Sequence, residues 1–140
     1  ARFERATPSG AETPDAPAAR TVSEASRAIA WSGTWDVAGH AGYQGGSARY
    51  ATQPGATASI TFTGTRIAWI GPKGPTRGEA RVYFDGVEVA LVDLYAGSFQ
   101  PRRTVWSTTL PAAGSHTLTI EVVGTPGRAY VAVDAFRITP

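Results

Sequence analysis

Residues 67–95 constrain the fold more than any other part of the chain. Ile67-Ala68-Trp69-Ile70 is a short apolar run suited to a buried strand. Residues 71–78 then hold three glycines and two prolines, which excludes a helix or a central strand there. Ala80-Arg81-Val82-Tyr83-Phe84 alternates, with Val82 and Phe84 on one face and Arg81 and Tyr83 on the other. Asp85-Gly86 is a two-residue hairpin signal, because glycine takes the positive φ such a turn requires. Residues 87–94 form the return strand. Strand, rigid loop, strand, tight turn and strand together predict an antiparallel sheet. The loop displays Arg77 and Lys73, the only lysine in the chain, and is the first place to look for binding.

The flanking sequence repeats this grammar. Strands are expected over residues 29–31, 47–51, 58–63, 103–110, 116–123 and 130–139. Ile60 and Phe62 point inward in one, and Leu118, Ile120 and Val122 in another. Gly64-Thr65, residues 111–114 and residues 124–127 read as turns, and residues 33–46 as a glycine-rich loop. No stretch sustains a 3.6-residue period. The predicted class is all-β, an antiparallel β-sandwich of jelly-roll type with eight or nine strands. The last strand is irregular: Val131 and Val133 have one parity, Phe136 and Ile138 the other. It is either buried on both faces or shifted in register by a bulge near Asp134-Ala135. Asp134 inside this apolar strand needs a partner or a metal.

Residues 1–28 differ in composition. They are rich in Ala, Pro, Thr and Ser, and Phe3 is their only anchor-sized side chain. Such a segment reads as a linker or N-terminal tail, with the domain over residues 29–140. The 140-residue chain suits one domain. It has no cysteine, hence no disulfide or thiol chemistry, and no apolar run long enough for a membrane span. Its formal charge of +2 gives no basic stripe for nucleic acid. Twelve arginines against one lysine fit a GC-rich bacterial gene.

Trp31-Ser32-Gly33-Thr34-Trp35, Gly42-Tyr43-Gln44-Gly45-Gly46, Ala58-Ser59-Ile60-Thr61-Phe62-Thr63-Gly64-Thr65, Tyr83-Phe84-Asp85-Gly86 and Val133-Asp134-Ala135-Phe136 resemble the galactose-binding-like β-sandwich. This is the jelly roll of many non-catalytic carbohydrate-binding modules. Gly71-Pro72-Lys73-Gly74-Pro75 and Val92-Asp93-Leu94-Tyr95 are similar to a variant appended to secreted actinobacterial enzymes and surface proteins. The resemblance covers residues 29–140. It implies a secreted or cell-surface accessory module that binds a polysaccharide or cell-wall glycan and tethers a neighbouring domain of the same polypeptide. It also implies a structural Ca²⁺ held by early acids and by one in the last strand. Asp134 matches the late position, and Glu24 and Asp36 are imperfect matches for the early pair. The fold also hosts protein-interaction modules without a glycan ligand.

Sugar binding needs an aromatic face for the C–H side of the ring and planar polar groups for its hydroxyls. The candidate ligand-binding residues are Trp35, Asp36, Tyr43, Lys73, Arg77, Asp93 and Tyr95. Phe99, His40, Gln44, Gln100, Arg102 and Arg103 form a wider circle. Trp31, Trp69 and Trp106 lie within strands and are read as core. Trp35 and Tyr43 serve equally as caps on the sandwich, and Asp93 is positioned to pair with Lys73 or Arg77. Catalysis has little support. There is no Gly-x-Ser-x-Gly elbow, and Asp36 with His40 forms no fixed triad. Asp85 belongs to the hairpin, which spoils a carboxylate pair drawn from Asp85, Glu88 and Asp93.

Overall fold

Ten strands and one 3-10 turn make up the regular structure of the computed structural model, which describes residues 19–140. The strands are β1 (Arg20–Ser23), β2 (Ile29–Ser32), β3 (Asp36–Gly39), β4 (Ser47–Ala51), β5 (Thr57–Lys73), β6 (Glu79–Phe84), β7 (Val87–Asp93), β8 (Gln100–Val122), β9 (Val131–Val133) and β10 (Ala135–Thr139). Their pairings are antiparallel throughout. This is the all-β sandwich that the alternation predicts. No helix among the described residues is long and apolar enough to cross a membrane.

The long antiparallel pair of β5 and β8 is the frame. The two strands pair from Thr57 against Glu121 to Lys73 against Gln100. The first half of β5 takes β2 on its other edge, and its second half takes β10, followed by β1. The second half of β8 takes β6 and then β7. β3, β4 and β9 form a separate three-stranded sheet. Apolar side chains from these elements meet in one core, with Trp69, Phe136, Ile60, Ile67, Leu118 and Ile120 fully buried. Trp31 and Trp106 pack against it from half-buried positions.

Several expected boundaries move, each for a physical reason. Gly64-Thr65 is a bulge within β5, where the register shifts between Gly64 and Arg66. Ala58, Ile60 and Phe62 point inward before it, and Ile67 and Trp69 after it. The extra residue flips the parity and keeps one face of a long strand in the core. Gly64 is required there, since a Cβ would collide with the Thr139 carbonyl. Residues 110–113 likewise lie within β8 but have no β5 partner. β5 also continues through Gly71-Pro72-Lys73, a stretch expected to be loop. A further shift, between Gly71 and Lys73, leaves Pro72 outside the ladder, where its missing N–H costs nothing.

The fold begins before residue 29. β1 pairs with β10, placing Val22 opposite Phe136, and Glu24 is buried. Residues 20–28, expected to be linker, therefore belong to the fold: Arg20–Ser23 pairs with β10 despite its weak composition, and residues 24–28 turn the chain into β2. Residues 1–18, including Phe3, lie outside the described residues. β3 was hidden in a glycine-rich loop because Asp36-Val37-Ala38-Gly39 is held only by pairing with β4. The Asp85-Gly86 hairpin forms as expected, with φ of 50° and 82°. The last strand uses both of the solutions open to it. It breaks at Asp134, so Val131 and Val133 join the small sheet and Phe136 and Ile138 the large one, all buried.

Candidate functional site

The small sheet offers a floor of alanines. Ala38 pairs with Ala48, and Tyr50 with Ala132, so these side chains share one face. Val131, Val133 and Ala51, of the opposite parity, enter the core. The loop after β3 folds over this floor. A 3-10 turn over Gln44–Gly46 closes it, and Gly42 N–H donates to His40 Nδ1 at 2.8 Å. This brings Tyr43 into the body of the protein, where it is buried.

From the other side comes the Gly/Pro loop. Arg77 N–H donates to Gly74 O, and Gly78 N–H donates to Tyr130 O. Arg128 Nη1 donates to Arg77 O at 2.9 Å and to Asp93 Oδ1 at 2.6 Å. Arg77 is thus fixed in the backbone, and its guanidinium lies between the rings of Phe99 and Tyr130, at 5.7 and 5.9 Å. Its Nη2 reaches the Tyr43 hydroxyl at 3.4 Å, while Nε is buried without a partner.

These parts enclose an open pocket of about 260 Å³. Ala38, Ala48 and Ala132 form its floor, the rings of Tyr50 and Tyr130, 5.5 Å apart, give it aromatic walls, and Tyr43 and Arg77 supply polar edges. Asp36 stands opposite Tyr50 in register, exposed beside the pocket. Arginine, phenol hydroxyls and ring faces over small residues suit a hydroxylated ring. They offer no nucleophile and base in contact.

The expected residues divide. Tyr43 and Arg77 line the pocket, and Asp36 borders it. Trp35 packs on Trp31 at 4.8 Å and donates its ring N–H to Ser32 O, so it belongs to the wall of the sandwich. Lys73 ends β5 opposite Gln100. Asp93 pairs with Arg128, not with Lys73 or Arg77, because the turn after β8 delivers Arg128 to the end of β7. The Arg128 hydrogen bond, then the Tyr95 N–H, holds its carboxyl below the ordinary aspartate range. Tyr95 is exposed under the Arg128 guanidinium, outside the pocket. His40 packs on Tyr43 and Phe99, and its Nδ1 is occupied by the backbone, so it makes no triad with Asp36. Tyr50 and Tyr130 were not singled out from the sequence. The alternation of Ala48, Tyr50 and the Val131/Val133 pair carried the only signal for them.

Asp134 is fully buried. Its Oδ2 accepts from Gln44 N–H at 2.8 Å and its Oδ1 has no partner. Burial raises its carboxyl above the ordinary range, opposed by the Gln44 hydrogen bond and nearby Arg102. Glu24 lies close by, its N–H donating to Asp134 O. A calcium ion takes six to eight oxygens. The Glu24 carboxylate is already held by the Ser47 hydroxyl at 2.6 Å and by Arg49 Nε at 3.4 Å, within ion-pair range though poorly aligned for a hydrogen bond. Asp36 is exposed beside Tyr50, whereas Glu24 and Asp134 are buried. No cluster of three metal-binding acids or histidines occurs among the described residues. The donor set does not fit a calcium cage, and Arg49 supplies positive charge to Glu24.

No family model matches the chain. Over 108 residues it is 32% identical to an A type blood N-acetyl-alpha-D-galactosamine deacetylase of Flavonifractor plautii. Over 106 residues it is 35% identical to an A type blood alpha-D-galactosamine galactosaminidase of the same organism. These matches take in 77% and 76% of this chain but only 14% and 10% of those proteins. Among solved structures, the Podospora anserina GH26-CBM35 beta-(1,4)-mannanase superposes with a TM-score of 0.61 at 18% identity, over 88% of this chain and 28% of that one. The CBM36-1 domain of a multidomain xylanase from a Trinervitermes trinervoides hindgut metagenome gives 0.55 at 12% identity, over 87% of this chain and 97% of the domain. The shared feature is the fold.

Proposed function

We propose that this chain, a galactose-binding-like β-sandwich, is a non-catalytic carbohydrate-binding module that holds a sugar in the Tyr43–Tyr50–Arg77–Tyr130 pocket. The observation behind this reading is the pocket itself: an alanine floor, two tyrosine walls and an arginine at its polar edge. A pyranose C–H face lies against Tyr50 or Tyr130, and ring oxygens accept from Arg77 and the phenol hydroxyls. The short share of each enzyme relative that the chain spans supports an accessory role. Tethering a secreted or surface partner domain of the same polypeptide to a glycan raises its local concentration without bond chemistry.

Affinity electrophoresis on a panel of neutral soluble polysaccharides tests this. At least one polysaccharide retards the protein, and Tyr130→Ala weakens the apparent affinity roughly three- to ten-fold. Tyr130 is partly exposed, so its truncation leaves the core intact. No retardation by any polysaccharide would favour the second reading, a protein-interaction module. That reading has one observation of its own: Val87, Val89 and Leu91 on edge strand β7 are each more than half exposed.

A further inference from the structure

The small net charge conceals a separation in space. Glu79, Asp85, Glu88, Asp93 and Glu121 all lie on β6, β7, the turn between them, or the second half of β8. The layer formed by β1, β10 and the second half of β5 carries Arg20, Arg66 and Arg137, with Arg102 and Arg103 beside it at the start of β8. The acids next to this layer, Glu24 and Asp134, are buried.

Register puts part of this charge on one outer face. Phe136, Ile138, Ile67 and Trp69 point into the core. Alternation therefore sends Ala135, Arg137, Arg66 and Ile70 outward. Thr21 sits opposite Arg137, and Arg66 opposite Thr139, diagonal to Arg137. Between Arg102 and Arg137 runs a trough of about 250 Å³, floored by Ile70 and Ala135 and flanked by Thr21 and Gln44. Each arginine is aimed by one bond, Arg137 Nη1 to Thr21 Oγ1 at 3.3 Å and Arg102 Nε to Gly42 O at 3.2 Å. Neither is paired with a carboxylate among the described residues, and none lines the trough.

Arg102 carries a second mark. Its φ of 58° is left-handed, a conformation otherwise taken among the described residues by glycines and by hairpin Asp85. A non-glycine residue in this conformation is strained, and strain of this kind gathers at ligand-binding positions.

We propose that this trough is a second binding site, which takes the carboxylate or sulfate groups of an acidic polysaccharide lying along the outer face of the layer. Guanidinium forks pair two oxygens at once, and Arg66 offers the next positive charge along the same face. The trough has no aromatic lining on which a nucleic-acid base would stack. It shares no lining residue with the tyrosine pocket, so the two sites stand or fall separately.

The test is affinity electrophoresis in gels containing polygalacturonate, dextran sulfate or neutral dextran, at low and moderate salt. The acidic polymers retard the protein, salt weakens the effect, and neutral dextran does not retard it. Arg102→Gln and Arg137→Gln change exposed side chains, and each reduces the retardation roughly three- to ten-fold. Arg20→Gln and Tyr130→Ala leave it within two-fold (about 0.4 kcal/mol). Four results would each overturn the proposal: no retardation by either acidic polymer; equal retardation of wild type and the Arg102→Gln/Arg137→Gln protein; stronger retention by a single-stranded oligonucleotide; or inorganic sulfate displacing the polymer at equal concentration of anionic groups.

Discussion

Gly78→Ala couples the stability of the fold to the geometry of the pocket. Gly78 joins the Arg77 loop to β6, and its φ is not left-handed, so space alone makes glycine necessary. A Cβ built there runs into the Arg128 carbonyl and lies 2.8 Å from Thr125 Oγ1 and 2.9 Å from Thr125 Cβ. None of these can yield freely. Thr125 Oγ1 accepts from Glu79 N–H, Arg128 N–H donates to Thr125 O, and Gly78 itself donates to Tyr130 O and accepts from Leu94 N–H. Overpacking costs about 1–3 kcal/mol, and stretching one of the backbone bonds adds about 1 kcal/mol. A loss of roughly 2–4 kcal/mol lowers the Tm of a domain this size by about 8–16 °C, at ~4 °C per kcal/mol. Thermal denaturation followed by circular dichroism reads this directly, with Gly97→Ala as control because nothing lies within 4 Å of its Cβ. A Gly78→Ala protein melting within about 2 °C of wild type would show that the contact is soft and the reasoning wrong.

Titration gives two further expectations of opposite sign. The Arg128 hydrogen bond depresses Asp93, and the His116 hydrogen bond depresses Asp85. Their stabilisation is present above the ordinary aspartate range and is lost as pH falls through the depressed folded values. Asp93→Asn therefore flattens the acid side of the Tm–pH curve, and an unchanged curve would remove the Arg128 clamp from the account. Asp134 is raised by burial, so its folded form favours the proton. Stability from this group is present below the ordinary aspartate range and is lost as pH rises through the raised value. The Tm of Asp134→Asn relative to wild type therefore climbs between pH 3 and 7; a constant difference contradicts this. Calcium or chelator leaves the Tm of wild type unchanged, and a rise of several degrees with millimolar calcium would show that Glu24 and Asp134 build a cage after all.

The fold was legible wherever a local rule decides it. Asp85-Gly86 needs two left-handed residues, and the double parity of residues 131–138 requires either burial on both faces or a break in register near Asp134-Ala135. Long-range pairing was not legible. β1 has only Val22 to mark it and exists because β10 offers an edge. Gly64-Thr65 reads equally as turn or bulge until the partner strand is known. The site followed the same division. Arg77 and Tyr43 stand out in loops, whereas Tyr50 and Tyr130 meet only through the pairing of β4 with β9. Asp93 drew the wrong cation because Arg128 arrives from a turn 35 residues away.

The most direct test of sugar binding in the tyrosine pocket is an NMR titration that follows the alanine methyl groups. Oligosaccharides are taken from whichever neutral polysaccharide retards the protein. The account predicts that the methyls of Ala38, Ala48 and Ala132 shift together and saturate with one affinity, and that Tyr130→Ala weakens all three alike. Saturable shifts confined to other alanines, with these three unmoved, would contradict it.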